Sequence, residues 1–199
     1  MKTVTETFDI YTFDELTDKA KQKAMCYYEQ DLTDCDVFTD GCLNFLYDLF
    51  PNSHLKVEYD LGMCQGDYFN FYGLLDLGDL YTHISSKLSP KQIKFYKHVL
   101  KEWADSCEIP CGNWYGHSTV TSTPILDASV SDMEVYGYSN IPYSDIETIN
   151  SIASDYLLEV CKSLTNEGYS YFYPDSDYIR EYYNDNEYYF TADGKPYYS

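Results

Sequence analysis

Between Leu55 and Gly73 the stretch LKVEYDLGMCQGDYFNFYG alternates apolar and polar residues twice, and it limits the possible folds more than any other part of the chain. Leu55, Val57, Tyr59 and Leu61 alternate with Lys56, Glu58 and Asp60, the two-residue period of a strand with one buried face. Phe69 and Phe71 then alternate with Tyr68, Asn70 and Tyr72. Gly62 and Gly66 lie in the connection, where a positive φ meets no side-chain clash. The pattern predicts a β-hairpin in the middle of a sheet, with Val57, Tyr59 and Phe71 buried.

The flanking segments carry helical periods. Val4, Phe8 and Ile10 give Thr3 to Tyr11 the pattern of a first strand. Thr12-Phe-Asp-Glu15 is a capping box, and Leu16, Ala20, Ala24 and Tyr27 follow at helical spacing, predicting a helix to about Gln30. A second helix is expected from Val37 to Phe50, stopped by Pro51, and a third from Leu77 to Leu88. Ser89, Pro90 and Gln92 restart the chain with a cap, and Ile93, Tyr96, Leu100, Trp103 and Cys107 mark one stripe. Lys91, Lys94, His98 and Lys101 mark a basic face on the same helix, open to solvent or to an acidic surface of the same molecule.

Beyond Glu108 the pattern predicts strands at Asn113 to Thr121 and Met133 to Tyr138. A long helix follows the capping box Ser144 to Glu147, with Ile149, Ala153, Tyr156, Val160 and Leu164 in register and Gly168 as its stop. Tyr169 to Tyr173 reads as a strand and Asp175 to Asn184 as a short helix. A terminal hairpin turns at Asp193-Gly194. The whole predicts a single α+β domain over residues 1–199, mainly an antiparallel sheet with helices packed mostly on one side. Its N-terminal half, 1–110, holds the hairpin at 55–73, and its acidic, tyrosine-rich half is 118–199.

Charge narrows the function. The net charge is −20, with 33 acids against 13 bases, of which Arg180 is the one arginine. Such a chain repels nucleic acid and anionic membranes, so direct binding to either is not expected. An odd count of seven cysteines, an N-terminus without an apolar signal core and the lack of an apolar run near ~18 residues predict a reduced, cytoplasmic protein. From Ser118 to Ser199 there are 14 acids against Lys162, Arg180 and Lys195, and 14 of the 24 tyrosines. Asp145, Glu147, Asp155 and Glu159 fall on the non-apolar positions of one predicted helix, and Asp175, Asp177, Glu181, Asp185 and Glu187 follow within one short segment. Carboxylates at this spacing repel one another and favour a cationic partner, and tyrosine supplies rigid contact area. Against this stands a plainer account, in which the tyrosines are core and sheet residues of a highly charged protein.

The candidate metal ligands are Cys107, Cys111 and His117, since thiolates close together on a turn can share a structural zinc. The fourth ligand would have to be Cys64, Cys35, Cys42 or His83. The competing account buries Cys107 at a helix end and packs Cys111 in a loop. Cys64 with His83 or His54 is the one imaginable nucleophile and base, and nothing in the sequence places them together. Gln65-Gly-Asp67 lacks the further glycine and lysine of a phosphate loop. Asp175-Ser-Asp177 begins like a calcium loop, but Arg180 stands where that loop needs glycine. No catalytic residues are identified.

The pieces Ile10-Tyr-Thr-Phe-Asp-Glu-Leu16, Ala20…Lys23-Ala24, Tyr59-Asp-Leu61 and Cys64-Gln-Gly-Asp67…Phe69-Asn…Tyr72-Gly73 resemble a group of small, largely uncharacterised proteins of bacteriophages and mobile elements. The resemblance spans about residues 8–75, and Tyr68 stands where the group's pattern carries another glycine. It implies a phage protein in a bacterial host cytoplasm, where small acidic proteins are often inhibitors of host defence, including anti-CRISPR proteins and DNA mimics. The expected function is a non-enzymatic inhibitor of a basic, nucleic-acid-handling host protein, such as the CRISPR nuclease Cas9. The alternative is a phage interaction or regulatory module with a non-nuclease partner, and an enzyme stands third.

Overall fold

The twice-alternating stretch folds as an antiparallel hairpin. Strand β1 (His54–Asp60) pairs with β2 (Tyr68–Asp76), setting Val57 opposite Phe71 and Tyr59 opposite Phe69. A third strand, β3 (Ser106–Ile109), pairs antiparallel with the far side of β2, placing Cys107 opposite Leu75. The sheet order is therefore β1-β2-β3. Among the described residues, β2 is the strand with a partner on both sides. Phe71 is fully buried, whereas Val57 and Tyr59 on the edge strand are half-buried.

The computed structural model describes residues 9–28, 33–62, 67–102, 105–111, 126 and 143–198. The strands expected at 113–121 and 133–138 lie outside these residues, as does most of the one expected at 3–11. The fold class is α+β, as the sequence predicts. The chain forms two compact units, Val37–Glu167 and Met1–Asp36 with Gly168–Ser199, called here the sheet unit and the terminal unit.

In the sheet unit, helix α2 (Cys35–Leu49) buries Phe38, Cys42 and Leu46. Phe38 meets Tyr59 and Phe69 edge-on at 5.1 and 6.5 Å, so the helix packs on the odd-numbered face of the hairpin. Helix α3 (Leu77–Ile84) follows β2 directly, and a short 3-10 turn, Ser85–Lys87, completes the segment expected as one helix to Leu88. Helix α4 (Pro90–Glu102) opens on the predicted box: the Ser89 N–H donates to Gln92 Oε1 at 2.8 Å and the Gln92 N–H to Ser89 Oγ at 3.3 Å. Its buried side is Gln92, Phe95, Tyr96 and Val99, and Ile93 and Leu100 are only half-buried. Cys107 lies in β3 and not at the helix end, because the helix stops at Glu102. Helix α5 (Tyr143–Phe172) buries Ile146, Ile149, Ala153, Leu157, Val160 and Leu164.

One junction ties the sheet unit together. Asp79 is only 6% exposed, and its carboxylate accepts from the Asn52 N–H and Nδ2, both at 2.8 Å, and from Ser53 Oγ at 3.4 Å. Asp76 caps α3 by accepting from the Asp79 N–H at 2.8 Å, while its own N–H donates to Ser53 Oγ. The Leu77 N–H donates to the carbonyl of Asp105, just before β3. Beside it, His83 contacts the Leu49 carbonyl through Nε2 at 2.8 Å and stacks on Tyr156 at 5.1 Å. Gly73 has φ +117°, and a side chain there would collide with the backbone carbonyl of His54.

In the terminal unit the first capping box is present, with the Thr12 N–H donating to Glu15 at 2.8 Å, but it opens only a 3-10 turn (Phe13–Glu15). The α-helix α1 (Asp18–Tyr27) has a cap of its own, Thr17, which accepts from the Ala20 N–H. A second correction concerns Gly168, which is buried inside α5 and does not end it. Tyr169 to Tyr173, expected as a strand, prolong that helix to Phe172. Their alternation is also compatible with a four-residue step, and Tyr169 meets Tyr173 at 6.5 Å. Pro174 then disfavours helical geometry at Tyr173. Helix α6 (Ser176–Asp185) matches its expected span, and β4 (Tyr189–Phe190) pairs with β5 (Pro196–Tyr197) around Gly194 at φ +84°. Tyr11 exchanges two 2.8 Å backbone bonds with Phe190. The core gathers Phe13, Leu16, Ala20, Ala24, Tyr28, Ile179, Tyr183 and Phe190. Among the described residues, no helix is long and apolar enough to cross a membrane.

Two stability predictions follow from these contacts. Asp79→Ala strands the Asn52 donors and should cost about 2–3 kcal/mol in urea denaturation, the range for losing bonds to a charged acceptor. Asn70, 1% exposed on the even face of β2, has no described hydrogen-bond partner for Oδ1 or Nδ2. Asn70→Leu removes that desolvated amide and should raise the melting temperature, and an unchanged or lower value would count against the assignment.

Candidate acidic interface

The nine acids singled out by sequence divide between the two units. Asp145, Glu147, Asp155 and Glu159 lie on α5 within the sheet unit, and the other five lie in or beside α6 in the terminal unit. On α5 the three outer positions Glu147, Asp155 and Glu159 are exposed. Asp155 and Glu159 are one turn apart and of like charge, an arrangement that costs about 0.2–0.5 kcal/mol. Asp145 differs from them: it is half-buried and accepts an ion pair from Lys91 of the basic α4 face at 2.8 Å. The internal pairing foreseen for that face therefore exists, and it removes Asp145 from the set open to a partner.

On α6, Asp175 is the N-cap, accepting from the Tyr178 N–H at 2.8 Å, so its carboxylate is engaged in holding the helix. Asp177, Glu181 and Asp185 follow at four-residue steps on the exposed side, and Glu187, at φ +53°, is exposed just beyond. Arg180 lies within electrostatic reach of Asp177 and Glu181, but its hydrogen bonds go elsewhere. It forks onto Asp14, Nε to Oδ1 at 2.6 Å and Nη2 to Oδ2 at 2.9 Å. This guanidinium holds the Asp14 carboxyl below its ordinary range. Tyr178, Tyr173, Tyr189 and Tyr198 are exposed in the same unit, whereas Tyr28 and Tyr183 are buried among aromatic rings. Some tyrosines are thus core residues, as the plainer account has it, and others lie exposed on the surface. Burial, followed by the neighbouring Tyr178 hydroxyl, pushes the Tyr28 hydroxyl well above its ordinary value, which keeps it neutral.

The proposed zinc ligands are placed apart where they are described. Cys107 sits opposite Leu75, whereas Cys111 donates its thiol to Glu58 at 3.7 Å, and Glu58 is opposite Asn70. Cys107 lies within the extended Ser106–Ile109 and Cys111 just beyond it, beside Glu58 and Tyr72. An extended strand has replaced the expected turn. His117 and Cys64 lie outside the described residues. Cys42 is buried, its thiol pushed up to about 12 by desolvation and then by Glu167. The His83 Nε2 is held by the Leu49 carbonyl. Among the described residues, no three His, Cys, Asp or Glu side chains form a metal-binding group.

No protein-family model, curated protein or solved structure matches this chain. Function therefore has to be argued from its own surface.

Two features of the structure were not read from the sequence. The Asp76-x-x-Asp79 spacing before the apolar run of α3 is a cap signal, and the buried clamp of Asp79 on Asn52 needed only the second half of that signal to be noticed. The Asp14–Arg180 fork joins residues 166 positions apart, and no local pattern announces it.

A second long-range pair gives a pH test. Lys23 and Asp193 are 2.5 Å apart, and the bond from Lys23, followed by that from Thr191, holds the Asp193 carboxyl at about 2 against an ordinary 3.8. Because this value is depressed, the stabilisation is complete above pH 3.8 and lost as pH falls through about 2. Asp193→Asn should therefore lower stability at pH 7 and leave it unchanged near pH 2, as read by urea denaturation at the two pH values.

Proposed function

We propose that the chain inhibits a basic, nucleic-acid-handling host protein, such as the CRISPR nuclease Cas9, in a bacterial cytoplasm, by offering carboxylates to the lysines and arginines that otherwise grip phosphates. The observation that carries this reading is the pair of exposed carboxylate rows, Glu147, Asp155 and Glu159 on α5 and Asp177, Glu181 and Asp185 on α6. The hydrogen bonds of the nearby cations go to other acids, those of Arg180 to Asp14 and that of Lys91 to Asp145, with Arg180 reaching Asp177 and Glu181 only through space. Lone carboxylates gain little from such spacing, so the rows cost stability unless a cationic surface meets them. Inhibition would come from steric and electrostatic blocking of nucleic-acid loading, with no bond made or broken.

The test is charge reversal in matched sets. Asp155→Lys, Glu159→Lys and Glu181→Lys together should leave the fold intact, slow association and raise the inhibitory concentration against the nuclease at least about tenfold. A control reversing the exposed Asp9, Asp105 and Glu108 makes the same change in net charge and should have a much smaller effect. Inhibition should also weaken steeply between about 50 and 500 mM salt, because exposed pairs are screened. Equal inhibition by both triple variants would overturn the reading. If the parent protein inhibits no nucleic-acid enzyme, the non-nuclease interaction module takes its place.

A further inference from the structure

The tyrosines of the terminal unit form a contiguous cluster. Tyr183 is fully buried, and its ring meets those of Tyr28, Tyr182 and Tyr188 at 6.0, 5.8 and 5.3 Å. Tyr28 in turn meets Tyr182 at 5.0 Å and the exposed Tyr178 at 6.3 Å. Hydroxyls are paired as well as rings. That of Tyr28 lies beside that of Tyr178, that of Tyr182 beside that of Tyr188, and the Tyr27 and Tyr198 hydroxyls are hydrogen-bonded to each other. Tyr27 is also within electrostatic reach of Tyr183, and Tyr198 of Tyr182, so this last pair belongs to the same cluster. The three pairs differ in freedom. Tyr28 is buried edge-on to Tyr178, and Tyr182 and Tyr188 are both packed on Tyr183. Tyr198 is 67% exposed and Tyr27 half-buried, so these two rings can turn about their side-chain torsions without displacing the core.

We propose that Tyr27 and Tyr198 are an oxidative cross-linking site, at which a one-electron oxidant of the high-valent metal class joins the two rings as a dityrosine. Each phenol gives one electron to the oxidant and its hydroxyl proton to water. The two phenoxyl radicals bond through the ring carbons next to their oxygens, and the hydrogens on those carbons then move to the oxygens and restore the hydroxyls. Two electrons and two protons leave in all. In the product the hydroxyls flank the new bond and face each other, an arrangement close to that of the hydrogen-bonded pair. Charge favours coupling within one chain. A cationic oxidant is drawn to a net −20, whereas two such chains repel. The bond would tie the end of α1 to the segment after β5, 171 positions away, and a cross-link of this span constrains the unfolded chain. Oxidation would thereby close the terminal unit covalently, whichever partner the acidic rows of α5 and α6 meet.

The oxidant in the test is tris(bipyridyl)ruthenium(III), generated by visible light with a cobalt(III) ammine as the final electron acceptor and applied to the whole chain. Illumination should give dityrosine fluorescence in the monomer fraction, a mass lower by two hydrogens, and a cross-linked peptide that contains Tyr27 and Tyr198. Tyr198→Phe should lose most of the monomer's dityrosine, and so should Tyr27→Phe. Each substitution removes only a hydroxyl, so both variants should keep the parental circular dichroism. Tyr47→Phe removes a phenol of similar exposure, 64%, from the sheet unit and should leave the yield unchanged. The cross-linked monomer should unfold at higher urea than the unilluminated protein, a gain that illuminated Tyr198→Phe should not show. No dityrosine, dityrosine confined to dimers, a cross-link mapping to another pair, or an undiminished yield in Tyr198→Phe would each overturn the proposal.

Discussion

The carboxylate of Asp79 joins three parts of the sheet unit that are remote from one another in sequence. It receives the turn after α2 through Asn52 and Ser53, it sits in the first turn of the helix that follows β2, and Ser53 returns a contact to the end of β2 at Asp76. The next residue of the same junction, Leu77, reaches back to the carbonyl before β3. A charge this deeply enclosed is tolerated only where its oxygen sites are filled, and here the donors include two from a single asparagine. Through this one satisfied acid the turn after α2 is fastened to the start of α3.

Elsewhere the molecule sets aromatic packing against charge. The terminal unit is short in aliphatic residues, and its core is built largely from Phe13, Tyr28, Tyr183 and Phe190. These rings meet edge-on or tilted at 4.9 to 6.2 Å, the geometry in which ring quadrupoles attract. The Tyr183 hydroxyl is satisfied by the Ala24 carbonyl at 2.8 Å, so a polar tip does not spoil the core. Tyrosine serves both needs of so acidic a chain: its body packs, and its hydroxyl adds no charge. The surface can then hold its carboxylates in rows without the interior depending on ion pairs.

Local order was legible wherever a single physical signal decided it. The alternation of residues 55–61 and 69–72 gave the hairpin, because a half-buried strand admits only one period. Ser89 and Gln92 announced the start of α4, and Ile149, Ala153, Val160 and Leu164 gave the buried side of α5. The misreadings fall where two signals compete. Gly168 is a stop by propensity, yet it is buried within α5, where the helix continues to Phe172, and tertiary packing outweighs a preference of about 1 kcal/mol. Thr12 to Glu15 satisfied every local rule for a helix start and still produced only one 3-10 turn, since Thr17 offers a second cap five residues later. For the candidate interface, sequence identified the acidic residues but not their state. That Asp145 is neutralised and Asp175 is consumed as a cap depends on Lys91, 54 residues away, in the first case and on helix geometry in the second.

The two units differ in how they are threaded. The sheet unit is one continuous run, Val37–Glu167, whereas the terminal unit is assembled from Met1–Asp36 and Gly168–Ser199. During synthesis the sheet unit has all of its residues before Gly168–Ser199 emerges from the ribosome, so it can collapse while translation continues. The early segment carrying Phe13, Ala20 and Ala24 must wait for Ile179, Tyr183 and Phe190, and closing that long loop costs chain entropy that the local contacts of α1 do not repay. Until then Phe13 and Leu16 have no core to enter. The acidity of the chain has a use in this interval, since nascent copies that repel one another stay apart while their apolar residues are still uncovered.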